Sequence, residues 1–160
     1  MPTPDTAAAW PGETGTIRLA RPDDADGVAG LAAELALSFP FSREKFLAHY
    51  PLLLATDHAS LLLATEATEA TEADQHLGYL LGFQHLTFYA NGPVAWVEEV
   101  VIRGRDRGRG IGRALMSAFE ERAAAQGCAL VALATRRAAP FYRSIGYQES
   151  ATYFRKLSTC

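Results

Sequence analysis

The chain has 160 residues, of which 49% are hydrophobic and 21% charged, and its net charge at pH 7 is −3. This length and apolar content predict one domain with a substantial buried core. The slight acidic excess argues against general nucleic-acid binding, which requires a strongly basic face.

The two ends of the chain and its cysteines indicate its setting. Residues 1–15 are rich in Pro, Thr, Ala and Gly, which predicts a flexible tail ahead of a single domain over residues 16–160. Residues 1–12 lack the charged start and apolar centre of a secretory signal. No apolar run reaches the roughly 18 residues needed to span a bilayer. Cys128 is predicted to be a small buried residue and Cys160 an exposed one, so a reduced, cytoplasmic setting is favoured.

The first part of the chain predicts a strand followed by two helices. Residues 16–20 alternate apolar and polar side chains, which is typical of a strand. Asp23 or Asp24 is suited to cap the first helix. Ser42 is suited to cap the second, which ends before Pro51 or shortly after it. Apolar side chains recur at helical spacing in the two helices at Val28, Leu31, Leu35, Phe46, Leu47 and Tyr50.

A short repeat follows the next predicted strand, which covers residues 59–64. The triplet Thr-Glu-Ala occurs three times in succession over residues 65–73. Polar segments of this kind are typical of surface loops, so we predict a solvated hairpin tip. The alternative is an acidic interaction site.

The second half of the chain predicts four more strands and two helices. Residues 77–88 and 94–102 predict strands joined by the turn Asn-Gly-Pro at 91–93. Residues 108–126 predict the main helix, which Gly127 ends in the left-handed region. A strand, a short helix and a final strand are then predicted over residues 130–134, 138–144 and 148–156. Strands and helices thus alternate around one mixed sheet, which makes the class α/β or α+β.

A glycine-rich run stands between the strand at 94–102 and the main helix. Residues 107–113 read Arg-Gly-Arg-Gly-Ile-Gly-Arg, with a glycine at every second position. The backbone is therefore uncovered where a helix begins, and the first N–H groups of a helix attract anions. This arrangement predicts a phosphate cradle for a phosphorylated cofactor. The Gly-Lys-Ser/Thr ending of mononucleotide loops and the Gly-x-Gly-x-x-Gly dinucleotide fingerprint are both absent.

Two motifs lie in order in the second half of the chain. Arg107, Gly110 and Gly112 fit the pattern Arg-x-x-Gly-x-Gly, and residues 141–147 fit Phe-Tyr-x-x-x-Gly-aromatic. One helix, one strand and a short connection separate them. Both motifs closely resemble those of the GNAT superfamily of N-acetyltransferases, and the resemblance covers residues 96–157. Thr135 stands where the family often has an asparagine.

The resemblance implies a fold and a reaction. The fold is a single domain with a central mixed, mostly antiparallel β-sheet flanked by about four helices. The reaction moves an acetyl group from acetyl-CoA, the donor substrate, to a primary amine by direct attack in a ternary complex. Backbone groups of Val100, Val101 and Ile102 are expected to pair with the pantetheine arm and to stabilise the oxyanion. The remaining expected contacts to the cofactor are Arg107, Gly108, Arg109, Gly110, Ile111, Gly112, Arg113 and Tyr142.

Three side chains are candidates for the chemistry. Tyr142 occupies the place of the family's general acid, and a phenol with a pKa near 10 is protonated at neutral pH. The alternative is a tyrosine that only packs on the cofactor. Glu98 and Glu99 lie on the strand that leads into the glycine loop, on opposite faces by alternation. Either is a candidate base, with Glu98 slightly favoured. The alternative is that neither acts as the base, because one is a solvated charge on the strand and the other pairs with a nearby arginine.

The acceptor site is expected between the first two helices, at residues 38–51. This segment is aromatic, and residues 149–154 are expected to border the same pocket. His85 is a further candidate for the pocket wall, although a lone histidine is more often structural. The aromatic side chains of the segment are Phe39, Phe41, Phe46 and Tyr50, of which half are expected in the core and the others in a wall of the acceptor site.

Two other functions remain open at this point. One is a non-catalytic acyl-CoA-binding or sensing domain, and the other is a protein N-terminal or lysine acetyltransferase. No metal is predicted, because His49, His58 and His76 show no ligand spacing. We expect a small-molecule amine as partner, no nucleic acid or membrane, and a homodimer if the chain follows the family.

Overall fold

The structure of the chain is a computed structural model that describes residues 14–35, 38–68 and 71–158, without the side chains of Thr71 and Glu72. Most of the predicted tail, two residues of the Thr-Glu-Ala repeat and Cys160 lie outside this part. The strands are β1 Gly15–Leu19, β2 Ala59–Thr68, β3 Thr71–Thr87, β4 Gly92–Ile102 and β5 Val131–Leu133. The helices are α1 Ala25–Glu34, α2 Arg43–Leu54, α3 Ile111–Ala125 and α4 Ala139–Ser144.

One five-stranded sheet organises the fold, with strand order β1-β2-β3-β4-β5. The first three pairings are antiparallel, and β4 pairs with β5 in parallel. In the part of the chain described, four α-helices accompany this sheet. The predicted class, a mixed and mostly antiparallel sheet flanked by about four helices, is confirmed.

Each face of the sheet carries its own hydrophobic core. The core on the α3 side joins Ile111, Leu115 and Phe119 of that helix to the sheet residues Leu80 and Val97. The core on the other side joins α1 and α2 to the sheet through Val28, Leu31, Tyr50, Leu63, Tyr79 and Val101. Burial on both faces explains the apolar runs in the central strands.

The pairing of β4 changes along its length, and this positions the candidate site. Residues Ala95, Trp96 and Val97 pair with β5. Beyond Val97, the edge of β4 that faces β5 has no strand partner within residues 14–35, 38–68 and 71–158. An unpaired edge presents N–H and C=O groups that an extended ligand can bind.

A bulge interrupts the pairing of β4 with β3 directly after Val97, where the pairing with β5 also ends. Leu81 is opposite Glu99 and Gly82 is opposite Val97, so Glu98 is the additional residue. Val97 consequently packs in the α3-side core, whereas Glu99, two residues later, faces the α1 and α2 side. The bulge therefore reverses the alternation of side chains at the point where β4 leaves β5.

Three sequence predictions of local structure are corrected. Residues 148–156 are not a strand, because they are exposed and pair with no strand edge in the described chain. The helix predicted from residue 108 begins at Ile111, since Gly108 and Gly110 have positive φ values of 79° and 83°. The side chain of Asp24 does not cap α1 but accepts hydrogen bonds from the Arg21 N–H and from Arg18.

Other local predictions are confirmed. Ser42 Oγ accepts the Lys45 N–H at 3.3 Å at the start of α2, which continues through Pro51 to Leu54. Asn91 turns the β3–β4 hairpin with a φ of 55°. The triplet repeat joins β2 to β3, as expected of a hairpin, although Glu66 pairs with Arg109 and is not a solvated tip.

Among the described helices, none combines the length and apolar character needed to cross a membrane.

Candidate active site

The glycine-rich run forms the exposed turn into α3. Gly110 is the N-cap residue and, like Gly108, adopts the left-handed conformation that glycine favours. A Cβ added at either position would meet no atom within 4 Å, so this backbone is open to a ligand. The first turn of α3 has no acidic side chain. No carboxylate of this turn therefore competes for its N–H groups, which is a condition for anion binding at a helix N-terminus.

The two sequence motifs contact each other through Gly112. A Cβ at this position would lie 3.3 Å from Cζ of Phe141, closer than most real contacts. Phe141 belongs to α4, where it precedes Tyr142. The absence of a side chain at Gly112 thus lets α4, which carries the tyrosine, pack against the start of α3 beside the glycine turn.

An ion-pair network fixes the loop that precedes α3. Asp106 is buried and accepts hydrogen bonds from Arg103 Nε at 2.6 Å and from Arg109 Nη1 at 2.7 Å. Burial disfavours the charge of Asp106, but the hydrogen bonds from the two arginines outweigh it and lower the pKa of this carboxyl. Arg109 Nη2 also donates to Glu66 Oε1 at 2.9 Å, which ties the loop to β2.

The predicted cofactor-binding arginines therefore differ in their surroundings. The guanidinium of Arg109 is held by two protein carboxylates, which fixes its side chain against the loop and β2. Arg107 and Arg113 are exposed on either side of Gly110. Arg107 Nε donates to the Ile102 carbonyl at 3.4 Å, which holds its side chain at the end of β4.

Glu99 is the partly buried acidic group of β4. Tyr79 Oη donates a hydrogen bond of 2.8 Å to Glu99 Oε2. Burial raises the pKa of the Glu99 carboxyl, the hydrogen bond from Tyr79 partly opposes this, and the negative charge of Glu98 adds to it. Burial and then the charge of Glu99 also raise the pKa of Tyr79, so this phenol remains protonated.

Glu98 is in a different environment, although it is adjacent in sequence. Its side chain is exposed, and Trp96 Nε1 donates to Glu98 Oε2 at 3.0 Å. The sequence slightly favoured Glu98 as the base. The bulge at Glu98 instead turns Glu99 into the interior, a geometry that alternation alone does not predict.

A cavity of about 1050 Å³ lies on the α1 and α2 side of the sheet, and Glu99 and Tyr79 line it. All four aromatic residues of the segment, Phe39, Phe41, Phe46 and Tyr50, line it, although half of them were expected in the core, where Tyr50 also lies. His85 is exposed and does not line it, so that candidate is wrong. Sequence reasoning missed Tyr79, whereas Lys45 and His49 lie within the predicted segment 38–51 but were not singled out for the cavity. None of residues 149–154, which were expected at the border, lines the cavity, and Arg155, one position beyond them, does.

Tyr142 lies against the opposite core. Its ring makes edge contacts with Phe141 and Tyr147, with centroids 5.0 and 5.9 Å apart, and it packs on the α3-side core with Val100 and Ile102. Burial raises the pKa of Tyr142, so its phenol is protonated at neutral pH. Glu99 and Tyr142 thus belong to opposite faces of the sheet, on either side of the unpaired β4 edge.

No grouping of three or more His, Cys, Asp or Glu side chains suited to a metal ion is found in the described part of the chain. Cys128 is a free, partly buried thiol that packs against the α3-side core, and burial raises its pKa.

Comparison with known proteins assigns the fold and the family. Residues 59–149 match the model of the acetyltransferase (GNAT) domain. Glucosamine 6-phosphate N-acetyltransferase 1 of Oryza sativa subsp. japonica is 31% identical over 156 residues, which are 93% of this chain and 92% of that protein.

Two solved structures share the fold. The crystal structure of glucosamine-6-phosphate N-acetyltransferase from Arabidopsis thaliana aligns with a TM-score of 0.76 and 20% identity over 91% of this chain and 99% of the other. AAC(6')-Iy in complex with the bisubstrate analogue CoA-S-monomethyl-acetylneamine aligns with a TM-score of 0.73 and 19% identity over the same shares. The chain belongs to the GNAT family and is an acetyl-CoA-dependent acyltransferase.

Proposed function

We propose that this protein transfers the acetyl group of acetyl-CoA to the primary amine of a small molecule, by direct attack within a ternary complex. One observation carries the proposal. Glu99, held by Tyr79, lines a cavity beside the segment of β4 whose edge is unpaired, so a base and an acceptor site adjoin a place for an extended thioester arm.

The acetyl-CoA site is proposed along the unpaired edge of β4 and the glycine turn that follows it. Backbone groups of Val100, Val101 and Ile102 would bind the pantetheine arm as an added strand. The uncovered turn at Gly108, Gly110 and Gly112, with the first N–H groups of α3, suits the pyrophosphate. Arg107 and Arg113, both exposed, would balance the charge of the phosphates. When bound, acetyl-CoA supplies an acetyl group activated as a thioester.

Glu99 is the proposed base. The carboxylate accepts a proton from the acceptor amine, directly or through one water, as the amine nitrogen forms a bond to the acetyl carbon. Its raised pKa makes it a stronger base than an exposed carboxylate, while Tyr79 fixes one of its oxygens. Glu98 is exposed and held by Trp96, so it is the less favoured candidate.

The negative charges that develop on the acetyl oxygen and on the sulfur are proposed to be stabilised on the other side of the unpaired β4 edge. The N–H groups of Val100 to Ile102 stabilise the oxygen that becomes negative as the amine attacks. Tyr142 donates its proton to the sulfur as the carbon–sulfur bond breaks, which leaves an amide and free CoA thiol. The supporting observation is that Tyr142, like Val100 and Ile102, packs against the α3-side core, on the face opposite Glu99.

The acceptor is proposed to be small. The cavity volume of about 1050 Å³ is of the size that small-molecule sites have. The rice and Arabidopsis relatives are, by name, acetyltransferases of glucosamine 6-phosphate, and AAC(6')-Iy was solved with an analogue that joins CoA to neamine. These acceptors are small amines, and they favour a small amine over a protein terminus or lysine.

The experiment is the release of free CoA thiol from acetyl-CoA in the presence of single amines, including small molecules, an N-terminal peptide and a lysine peptide. We expect turnover with small amines. Turnover with the peptides alone would contradict a small acceptor. Tight acetyl-CoA binding with no amine-dependent release would contradict transfer to an amine.

A further inference from the structure

The wall of the cavity is formed by a row of aromatic rings. Phe41 and Phe46 have ring centroids 5.9 Å apart, and Phe46 and Tyr50 have centroids 5.4 Å apart. Phe46 and Tyr50 are four residues apart on α2 and therefore lie on one face of the helix. The row continues the apolar surface of the sheet, where Leu61 and Leu81 line the same cavity.

Two large apolar side chains of this cavity are left open to solvent. Phe39 is 68% exposed and Leu52 is 65% exposed, and both are lining residues. Exposed apolar side chains grouped in a concave site beside a polar group are typical of ligand-binding surfaces. A ligand with an apolar body would remove both from water.

Most polar side chains of the cavity already have partners within the protein. Tyr50 Oη donates to the Arg21 carbonyl at 2.7 Å, and Thr56 Oγ1 donates to the Leu52 carbonyl at 2.9 Å. Ser38 Oγ accepts from Arg155 Nη1 at 3.1 Å. A ligand with many hydroxyls would lose its bonds to water without gaining equivalent partners, and this loss disfavours sugars.

The charges of the lining also select against polycations. Glu99 is the acidic residue among the described residues that line the cavity, whereas Lys45 and Arg155 are basic and His49 is also present. One amine can be placed against Glu99. Additional ammonium groups, as in polyamines, would lie near Lys45 and Arg155 and be repelled.

We infer that the acceptor is a monoamine with an aromatic or branched apolar body, with its nitrogen at Glu99. Its body lies against the aromatic wall of the cavity, which the exposed ring of Phe39 and the ring row of Phe41, Phe46 and Tyr50 form together. This inference rests on the proposed function, because it names the substrate class of the same site. The inferred acceptor of this chain therefore differs from glucosamine 6-phosphate, for which the rice and Arabidopsis relatives are named.

The test compares kcat/KM for 2-phenylethylamine, glucosamine 6-phosphate and spermidine in the CoA-release assay. We expect the aromatic amine to exceed the other two at least about tenfold, as burial of a phenyl group allows. An equal or higher kcat/KM for the sugar phosphate or the polyamine would overturn this inference but leave the proposed function standing. If protein that binds acetyl-CoA released no CoA thiol with any of the three amines, this result would contradict both the proposed amine transfer and the inference.

A pair of variants tests the wall directly. Phe39→Ser should raise KM for 2-phenylethylamine about tenfold and leave KM for acetyl-CoA unchanged, because it removes an exposed ring of the cavity. Phe88→Ser is the matched control, since Phe88 is fully exposed on the β3–β4 hairpin and does not line the cavity. Equal KM values for the amine in both variants would contradict the role of this wall.

Discussion

Tyr79 and Glu99 lie on neighbouring strands, and the phenol of Tyr79 donates a 2.8 Å hydrogen bond to the carboxylate of Glu99. Tyr79 is opposite Val101 and Leu81 is opposite Glu99, so the contact is a diagonal one across the β3–β4 pair. The carboxylate is thus fixed in orientation, and its basicity is set by two opposing effects. Burial raises its pKa, and the tyrosine holds the pKa below what burial alone would give.

Removal of this hydroxyl should move the pH dependence of the reaction. In Tyr79→Phe the pKa of Glu99 rises further, because the bond that favours the carboxylate is lost. The acid limb of kcat/KM should move to higher pH, since the lost hydrogen bond is one that favours the charged carboxylate. Rates measured from pH 5 to 9 test this. An unchanged limb with a uniformly lower rate would indicate a packing effect only.

The same carboxylate should reduce stability at alkaline pH. The pKa of Glu99 is higher in the folded than in the unfolded state. Its contribution to stability is therefore full at low pH and is lost as pH rises through the folded-state pKa. Relative to the wild type, Glu99→Gln should have a higher Tm at pH 8, and the difference should shrink at pH 4.5. A Tm difference that is the same at both values contradicts the assigned burial.

Tyr142→Phe should separate catalysis from binding. The change deletes the proton donor but keeps the ring contacts with Phe141 and Tyr147. We expect kcat to fall by about a hundredfold or more, the usual effect of a lost general acid. The dissociation constant of acetyl-CoA, measured by calorimetry, should stay near the wild-type value. Equal losses in the two quantities would remove the acid role.

The phosphate cradle can be tested with two changes at one glycine. Gly110→Ala and Gly110→Glu both place a Cβ at a φ of 83°, so both should cost about 1–2 kcal/mol of stability. Only the glutamate also places a negative charge against phosphate, so acetyl-CoA should bind at least about a hundredfold more weakly to this variant.

The control for backbone strain is Gly127→Ala, because Gly127 has a φ of 77° at the far end of α3. This variant should lose similar stability and keep acetyl-CoA affinity. If Gly110→Glu bound acetyl-CoA as well as Gly110→Ala does, the phosphates would lie elsewhere.

The sequence predicted the parts of the site that are built locally. The turn at Gly108 and Gly110 and the short helix with Tyr142 depend on neighbouring residues, so local spacing indicates them, although α3 itself begins three residues later than predicted. The aromatic cavity wall was predicted for the same reason, because Phe46 and Tyr50 share one helix face.

The sequence did not predict features that depend on how residues far apart in the chain are aligned with each other. The bulge opposite Leu81 and Gly82 turns Glu99 toward the cavity, and no pattern within β4 indicates it. The contact of Arg109 with Glu66, 43 positions earlier, likewise depends on how distant strands are placed, and no local pattern indicates it. The strand predicted at residues 148–156 fails for a related reason, since a strand needs a partner edge as well as alternation.

The rate of CoA thiol release with 2-phenylethylamine, compared among the wild type, Glu99→Gln and Glu98→Gln, tests the central claim most directly. The two variants make the same chemical change at adjacent positions, one in the cavity and one exposed beside Trp96. We predict that Glu99→Gln loses about a hundredfold or more in kcat at neutral pH, as the loss of a general base does, while Glu98→Gln stays within about threefold of the wild type. Wild-type turnover by Glu99→Gln, or a larger loss in Glu98→Gln, would contradict the assignment of Glu99 as the base.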